Sequence, residues 1–318
     1  MKVFLGIGII SIVAFATAFC IRSSEAYDRD VGLKSAVFVV PPNTSGHKQE
    51  YLPYDFNSPE IMELNKKLKE ISGLSYNAIA NTMYTHNDEK GHIYEIDMTD
   101  GHIINDLKFG EKGDYEGIEV VFDKIVVVEN NGNLNFYNRA ANETVKIKTV
   151  LTKKNNVEGL CLDADQKLLL MACKGEVLNK ESEKNSTKEI YAYDMSKKEV
   201  IAEPYLQIKR RELLDNFEQN FQKIPNDDLK KYKSRIKEFS PSGIAVHPVN
   251  GNLYIVSARG SILLVFDREL QLKQQVFLSK KKAPQPEGIC FDHHSNLYIA
   301  TEGKTSNGKL LKYESKSN

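Results

Sequence analysis

The chain lacks a charge excess and has little cysteine, and each shortage narrows what it can be. Its 43 Lys plus Arg offset its 43 Asp plus Glu, which removes the broad basic surplus that nucleic-acid binding draws on and the acidic surplus of a solvating tail. Any charged ligand is therefore held by a local patch. Of the 4 cysteines, Cys20 follows the N-terminal apolar run, and Cys161, Cys173 and Cys290 are left as an odd, scattered set. No disulfide framework is supported by that count. There is no CxxC pair and no Cys/His cluster, so the zinc-ligand spacings are missing too. Cys161 and Cys290 each follow a Gly-Leu or Gly-Ile step inside apolar strand patterns and read as small buried hydrophobes. GxSxG, HExxH, P-loop and dinucleotide fingerprints are also lacking, and no motif names a reaction.

What is present begins with an export signal. Met1-Lys2 precede an uncharged apolar run from Val3 to Phe19, then Arg22 and a polar stretch. Ala16-Thr17-Ala18 and Ser24-Glu25-Ala26 put small residues where a signal peptidase cuts. Cys20, directly after the run, is the alternative site of lipidation, although bulky Phe19 departs from the small residue a lipobox places there. A retained membrane helix ranks behind both, because the run is near the short limit for a span. The reading is a signal peptide or lipoprotein signal over 1–26, a linker over 27–50, and one domain over 51–318. The protein is expected in the periplasm or anchored in the cell envelope, as a monomer. With 318 residues, 41% hydrophobic, a full-sized core is available.

Internal repetition organises the rest. Five segments align: Glu70-Ile-Ser-Gly73-Leu74, Asp114-Tyr-Glu-Gly117-Ile118, Asn156-Val-Glu-Gly159-Leu160, Ser240-Pro-Ser-Gly243-Ile244 and Gln285-Pro-Glu-Gly288-Ile289. Their glycines are 42 to 45 residues apart, except for one interval of twice that. This period fits a four-stranded propeller blade. Strand signals return in the same order after each glycine; Val249-Asn-Gly-Asn252, for instance, marks a hairpin turn before Leu253–Ser257. The expected fold is an all-β propeller of about five blades, with six as the alternative if a degenerate blade occupies the long interval. Helical periodicity there argues against the sixth. Leu214, Phe217 and Phe221 share one helical face and Leu229, Tyr232 and Ile236 another, so 208–238 reads as a helical insertion. The last unit ends after its third strand, and Tyr51–Phe56 is the expected closing strand, which removes a free edge.

At these residues the chain resembles the SdiA-regulated (YjiK-like) family of exported bacterial propellers. The likeness rests on Lys69–Tyr76, Asn87-Asp88-Glu89 with Ile93–Asp97, Gly113–Ile118, Asn156–Leu160, Pro241–Pro248 and Gln285–Ile289, and it covers about residues 51 to 314. It implies a periplasmic or membrane-associated propeller and supplies no catalytic residues.

Repeat geometry turns sequence equivalence into proximity. The position before each repeat glycine holds Ser72, Glu116, Glu158, Ser242 and Glu287, which should form a ring at one channel mouth. Glu70, Asn87, Asp88, Asp114, Glu129, Asn130, Lys174, Arg259 and Glu302 should gather around it. Glu116, Glu158 and Glu287 are the candidate ligands of a hard cation such as calcium; the competing role is a repeated structural latch. His86, at the end of a second strand, is the weak catalytic candidate, as an acid or base with Asp88 or Glu116. His247 and His293-His294 sit in turns and are expected at the surface. The functional expectation is a binding module for a small molecule or protein, with a calcium-dependent lactonase or phosphoesterase as the alternative.

Overall fold

The computed structural model describes residues 38–40, 52–178, 186–220, 226–303 and 305–316. The stretch read as an export signal with Cys20, most of the stretch read as a linker, Tyr51 and Phe221 lie outside the described residues. Two short strands, β1 (Phe38–Val40) and β2 (Glu60–Glu63), precede five blades. Blade 1 is β3 (Ile71–Asn77), β4 (Thr82–Asn87), β5 (His92–Ile96) and β6 (Ile103–Lys108). Blade 2 is β7 (Tyr115–Val121), β8 (Lys124–Glu129), β9 (Leu134–Asn138) and β10 (Glu143–Ile147). Blade 3 is β11 (Val157–Asp163), β12 (Leu168–Cys173) and β13 (Thr187–Asp194), edged by two short strands, β14 (Glu199–Val200) and β15 (Leu206–Lys209), that each pair with part of β13. Helices α1 (Arg210–Asn220) and α2 (Asn226–Lys237) follow. Blade 4 is β16 (Gly243–Val246), β17 (Leu253–Ser257), β18 (Ile262–Phe266) and β19 (Leu272–Phe277), and blade 5 is β20 (Pro286–Phe291), β21 (Leu297–Thr301) and β22 (Lys309–Tyr313). The propeller thus has five blades, and the long interval is filled by the helices.

Ring closure corrects one expectation. The strand that completes blade 5 is β2, paired antiparallel to β22 with Glu60 opposite Lys312 and Glu63 opposite Lys309. The segment just before it stays outside that sheet. Pro53 cannot donate to a ladder, and the aromatic residues beside it are spent on packing: Tyr54 and Phe56 sit in the apolar cluster of blades 4 and 5, with Phe56 5.1 Å from Tyr313 by ring centroid. Residues 38–40, in the stretch read as linker, form β1, which adds a fifth strand to blade 4 beside β19.

The middle strands of each sheet are buried on both faces, which explains why β8, β12, β17 and β18 read as largely apolar runs. Period-two alternation sends successive side chains to opposite neighbours. In β17, Leu253 and Ile255 join the cluster between blades 3 and 4, while Tyr254 and Val256 join the one between blades 4 and 5. In β12, Leu168, Leu170 and Ala172 face blade 4, and Leu169, Met171 and Cys173 face blade 2. Five clusters result, one at every blade-to-blade interface.

The helices seal the cluster between blades 3 and 4. Leu213 and Phe217 of α1 and Tyr232 and Ile236 of α2 are buried there with Phe277, whereas Leu214 and Leu229 are only partly covered. Arg235 fixes α2 to blade 4. Its buried guanidinium donates to the carbonyls of Gly260, Ser261 (2.6 Å) and Leu278 (2.8 Å) and lies 5.1 Å from the Phe277 ring centroid. Burial lowers its pKa to about 10, so carbonyl dipoles and ring faces are what hold the charge.

Two stability predictions follow from this packing. Arg235→Met strips three carbonyls of their donor and is expected to cost about 3 kcal/mol, read by urea denaturation. A methyl added at Gly243 would lie 2.1 Å from the Glu287 carbonyl oxygen, against 2.8 Å from the Leu160 nitrogen for Gly117. Gly243→Ala should therefore lower the melting temperature more than Gly117→Ala, and equal effects would contradict the backbone-contact account.

Candidate functional site

A recurring irregularity builds the upper mouth of the channel. In blades 1, 2, 3 and 5 the pairing of the first two strands slips between Ile71 and Gly73, Tyr115 and Gly117, Val157 and Gly159, and Pro286 and Ile289. A bulge re-aims its unpaired residue. In those four blades the residue before the repeat glycine is turned out of the ladder, and Ser72, Glu116, Glu158 and Glu287, with Ser242 of the regular blade 4, line one space of about 180 Å³ at the hub. Only about 10 Å³ of it admits the centre of a water molecule, room for about one water.

Some ring members are latches. Ser72 Oγ donates across the blade boundary to Glu116 Oε2 (3.3 Å), and Ser242 Oγ donates to the Pro286 carbonyl (2.6 Å). The Tyr115 amide donates to the Asp88 carbonyl (2.8 Å), and the Val157 amide to the Asn130 carbonyl (2.9 Å). Glu158 takes Lys174 Nζ at 2.9 Å and Asn156 Nδ2 at 2.7 Å. This single lysine serves three acids, since its charge also acts on Glu116 and Glu287. Burial, then Glu158 and Asp114, pushes the Glu116 carboxyl upward; burial, then Glu158 and Glu302, does the same to Glu287. Both favour the protonated form.

Around this ring acids predominate in blades 5, 1 and 2, while blade 3 pairs its Glu158 with Lys174. Glu70 and Asp88 of blade 1, Asp114 and Glu116 of blade 2, and Glu287 and Glu302 of blade 5 make an acidic arc. Burial and repulsion by Glu70 and Glu89 raise Asp88. Asp114 receives Asn130 Nδ2, and Glu302 receives Gln285 Nε2 at 2.5 Å. Among the described residues no ion pair joins Arg259 to these acids, and its charge acts on Lys188 and Arg210 instead. Arg259 belongs to a basic cluster over blades 3 and 4 whose other members, Lys188 and Arg210, sequence reasoning missed: burial, then Arg210 and Arg259, depresses the Lys188 ammonium to about 8. Lys188 Nζ donates to the carbonyls of Lys174 and Gly175, and Arg210 donates to that of Phe239 at 2.6 and 2.9 Å. Lys188 and Arg210 have no repeat signature; pairing of β13 with β15 is what places them together, with Thr187 opposite Lys209.

Other expected members lie elsewhere. Glu129 is tied within blade 2 by Lys146 (2.5 Å), Asn131, Asn133 and Asn135. Burial alone would raise its carboxyl, but these donors hold it below the usual range. His86 is fully buried, with Nδ1 3.1 Å from the Asn87 carbonyl oxygen, and burial lowers its pKa to about 4. Among the described residues no hydrogen bond joins it to Asp88 or Glu116. His247 is not at the surface: it is buried against Tyr254 and Phe291, and its Nδ1 accepts from the amides of Val249 (3.2 Å) and Asn250 (3.3 Å). His293 and His294 are exposed.

The calcium expectation needs the three ring carboxylates to meet at one point. Among the described residues, the grouping of three acid, imidazole or thiol ligand atoms within 4.8 Å of one another is Asp97, Asp100 and His102, on an exposed turn. Glu116, Glu158 and Glu287 do not form such a set, and Lys174 already sits on Glu158.

A family model described as SdiA-regulated matches residues 54–305. Among solved structures the chain is similar to a glutaminyl cyclase from Myxococcus xanthus, with 9% identity and a TM-score of 0.51 over 80% of this chain and 94% of that one. It is also similar to a gluconolactonase from Xanthomonas campestris, with 11% identity and a TM-score of 0.50 over 87% and 97%. At such identities the likeness is one of fold. No curated protein matches the sequence. Among the described residues no helix is long and apolar enough to cross a membrane.

The raised carboxyls give a pH test. Their folded pKa values lie above the ordinary value of 4.5, so above that pH the native state holds more protons than the unfolded chain and stability falls as pH rises. Glu287→Gln is expected to raise the melting temperature at pH 8 and to leave it unchanged at pH 4; the same gain at both pH values would count against the buried-acid account.

Proposed function

The chain belongs to the SdiA-regulated family, and on that premise we propose that it is a binding module, exported from the cytoplasm, that holds a dipolar ligand across its upper mouth. The observation that carries this reading is the division of the rim. Lys174 stands among the ring acids of blades 2, 3 and 5, while Lys188, Arg210 and Arg259 form a separate basic cluster over blades 3 and 4. A ligand carrying one group of each sign, whether a small zwitterion or the charged end of a partner protein, pairs with the acids and with this cluster at once. Behind the rim the channel narrows to about one water, so recognition takes place on the mouth itself. Export rests on the apolar leader from Val3 to Phe19.

A calcium-assisted hydrolase is the competing reading. It requires Glu116 and Glu287 to ionise together and move toward Glu158, against the burial and mutual repulsion that keep them protonated.

Thermal-shift measurements with Ala-Ala dipeptide and its N-acetylated and C-amidated forms test the proposal. The free dipeptide is expected to raise the melting temperature more than either blocked form. Charge reversal by Asp114→Lys or Arg259→Glu should abolish the difference. Millimolar calcium should leave the melting temperature unchanged. EDTA-sensitive turnover of a lactone or phosphate ester would replace this reading with the hydrolase.

A further inference from the structure

The same five strands form a second cavity at their other end. Two places after each repeat glycine stand Ser75, Glu119, Cys161, Ala245 and Cys290. They line a space that opens to solvent, walled by Tyr76, Leu162, Val246, Pro248, Ile289 and Phe291, in which about 110 Å³ admits the centre of a water molecule. No Lys or Arg is in that lining, and Glu119 is its one carboxyl. Burial pushes the Glu119 carboxyl up to about 8, with the Ser75 hydroxyl and Val120 amide opposing. Burial also raises the neighbouring thiols of Cys161 and Cys290 and the Tyr76 phenol, so these groups stay neutral beside Glu119. The turns between the first and second strands lie on this face, and they carry the exposed side chains Ile79 (94%), Phe122 (65%) and Val249 (82%). Phe122 is held at φ +55°, a conformation that bulky residues rarely adopt.

We propose that this lower cavity binds an aliphatic primary ammonium group, with the charge on Glu119 and the methylenes against Leu162, Val246, Ile289 and Phe291. An ammonium brings the cation and the donors that the wall lacks, and in a poorly solvated wall the pair is strengthened. An anion finds no cationic partner there, and a neutral alcohol leaves the carboxyl uncharged. As the ammonium binds, Glu119 releases its proton to solvent, so affinity should rise with pH through about 8. Two sources share this chemistry: a free alkylamine, and a lysine side chain on a partner segment. Only the second also reaches Ile79, Phe122 and Val249.

Calorimetric titration of the purified full chain with n-butylammonium chloride, n-butanol and a capped Leu-Lys-Leu peptide tests the site. Butylammonium is expected to bind, and Glu119→Gln to weaken it about tenfold or more, the effect of losing one charge pair. Ala245→Leu keeps the acid but fills the cavity, and should abolish binding even where Glu119→Gln fails to fold. Loss of peptide affinity in the Ile79→Ser/Phe122→Ser double variant, with butylammonium binding kept, assigns the site to a lysine segment; unchanged peptide affinity assigns it to a free amine. The proposal is overturned if butylammonium does not bind, if butanol binds equally well, or if Ala245→Leu leaves butylammonium binding intact.

Discussion

The structure depends on how closely five inner strands approach one axis. A methyl on Gly73 would lie 3.0 Å from the Ile118 nitrogen, one on Gly159 3.0 Å from the Gly243 Cα, and one on Gly288 2.8 Å from the Leu74 nitrogen, and the remaining repeat glycines continue the circuit. None of these five residues has a positive φ. They are glycine because the next blade occupies the space, and not because the backbone needs their conformational freedom. Such contact leaves no room at the hub for a substrate-sized molecule. It also brings the residue before each glycine together, which is why Glu116, Glu158 and Glu287 share a single lysine.

Burial on both faces is the second consequence. A blade with neighbours on either side has no solvent face to make polar, so β12 is apolar throughout and β17 as far as Val256, and both split these residues between two clusters. The interface between blades 3 and 4 is covered in addition by α1 and α2. Arg235 docks α2 through backbone carbonyls, a fixation that needs no carboxylate partner and leaves the acids of the propeller to the rim.

Much of this was legible in the sequence, and what was not has physical reasons. The glycine period showed the blades, and helical spacing across Arg210–Lys237 separated the insertion from a sixth blade. The closing strand was misplaced because β2 offers only Glu-Ile-Met-Glu with mostly exposed side chains, whereas the aromatic stretch before it has strand-like composition and is used for packing. His247 was expected outside because it precedes Pro248 in a turn, yet its imidazole is what holds that turn together. The carboxylate ring was visible because one residue type recurs before the glycine. The lower ring escaped notice because Ser, Glu, Cys, Ala and Cys share no chemistry, and only the fold makes them equivalent. Lys188 and Arg210 were hidden for a similar reason, since their meeting depends on strand pairing rather than on repeat position.

Overall neutrality therefore conceals strong local asymmetry. Packing alone does not call for a carboxyl at position 119, where Ala245 and Ser75 satisfy the equivalent places in other blades. A buried acid with a raised pKa lowers stability at neutral pH. The same holds at the upper ring, where Ser72 and Ser242 make the inter-blade contact without charge while three glutamates carry one they cannot fully express. Departures from what packing requires mark functional positions. Here they fall at both ends of one channel, and the two proposed sites are separate because its hub admits only about one water.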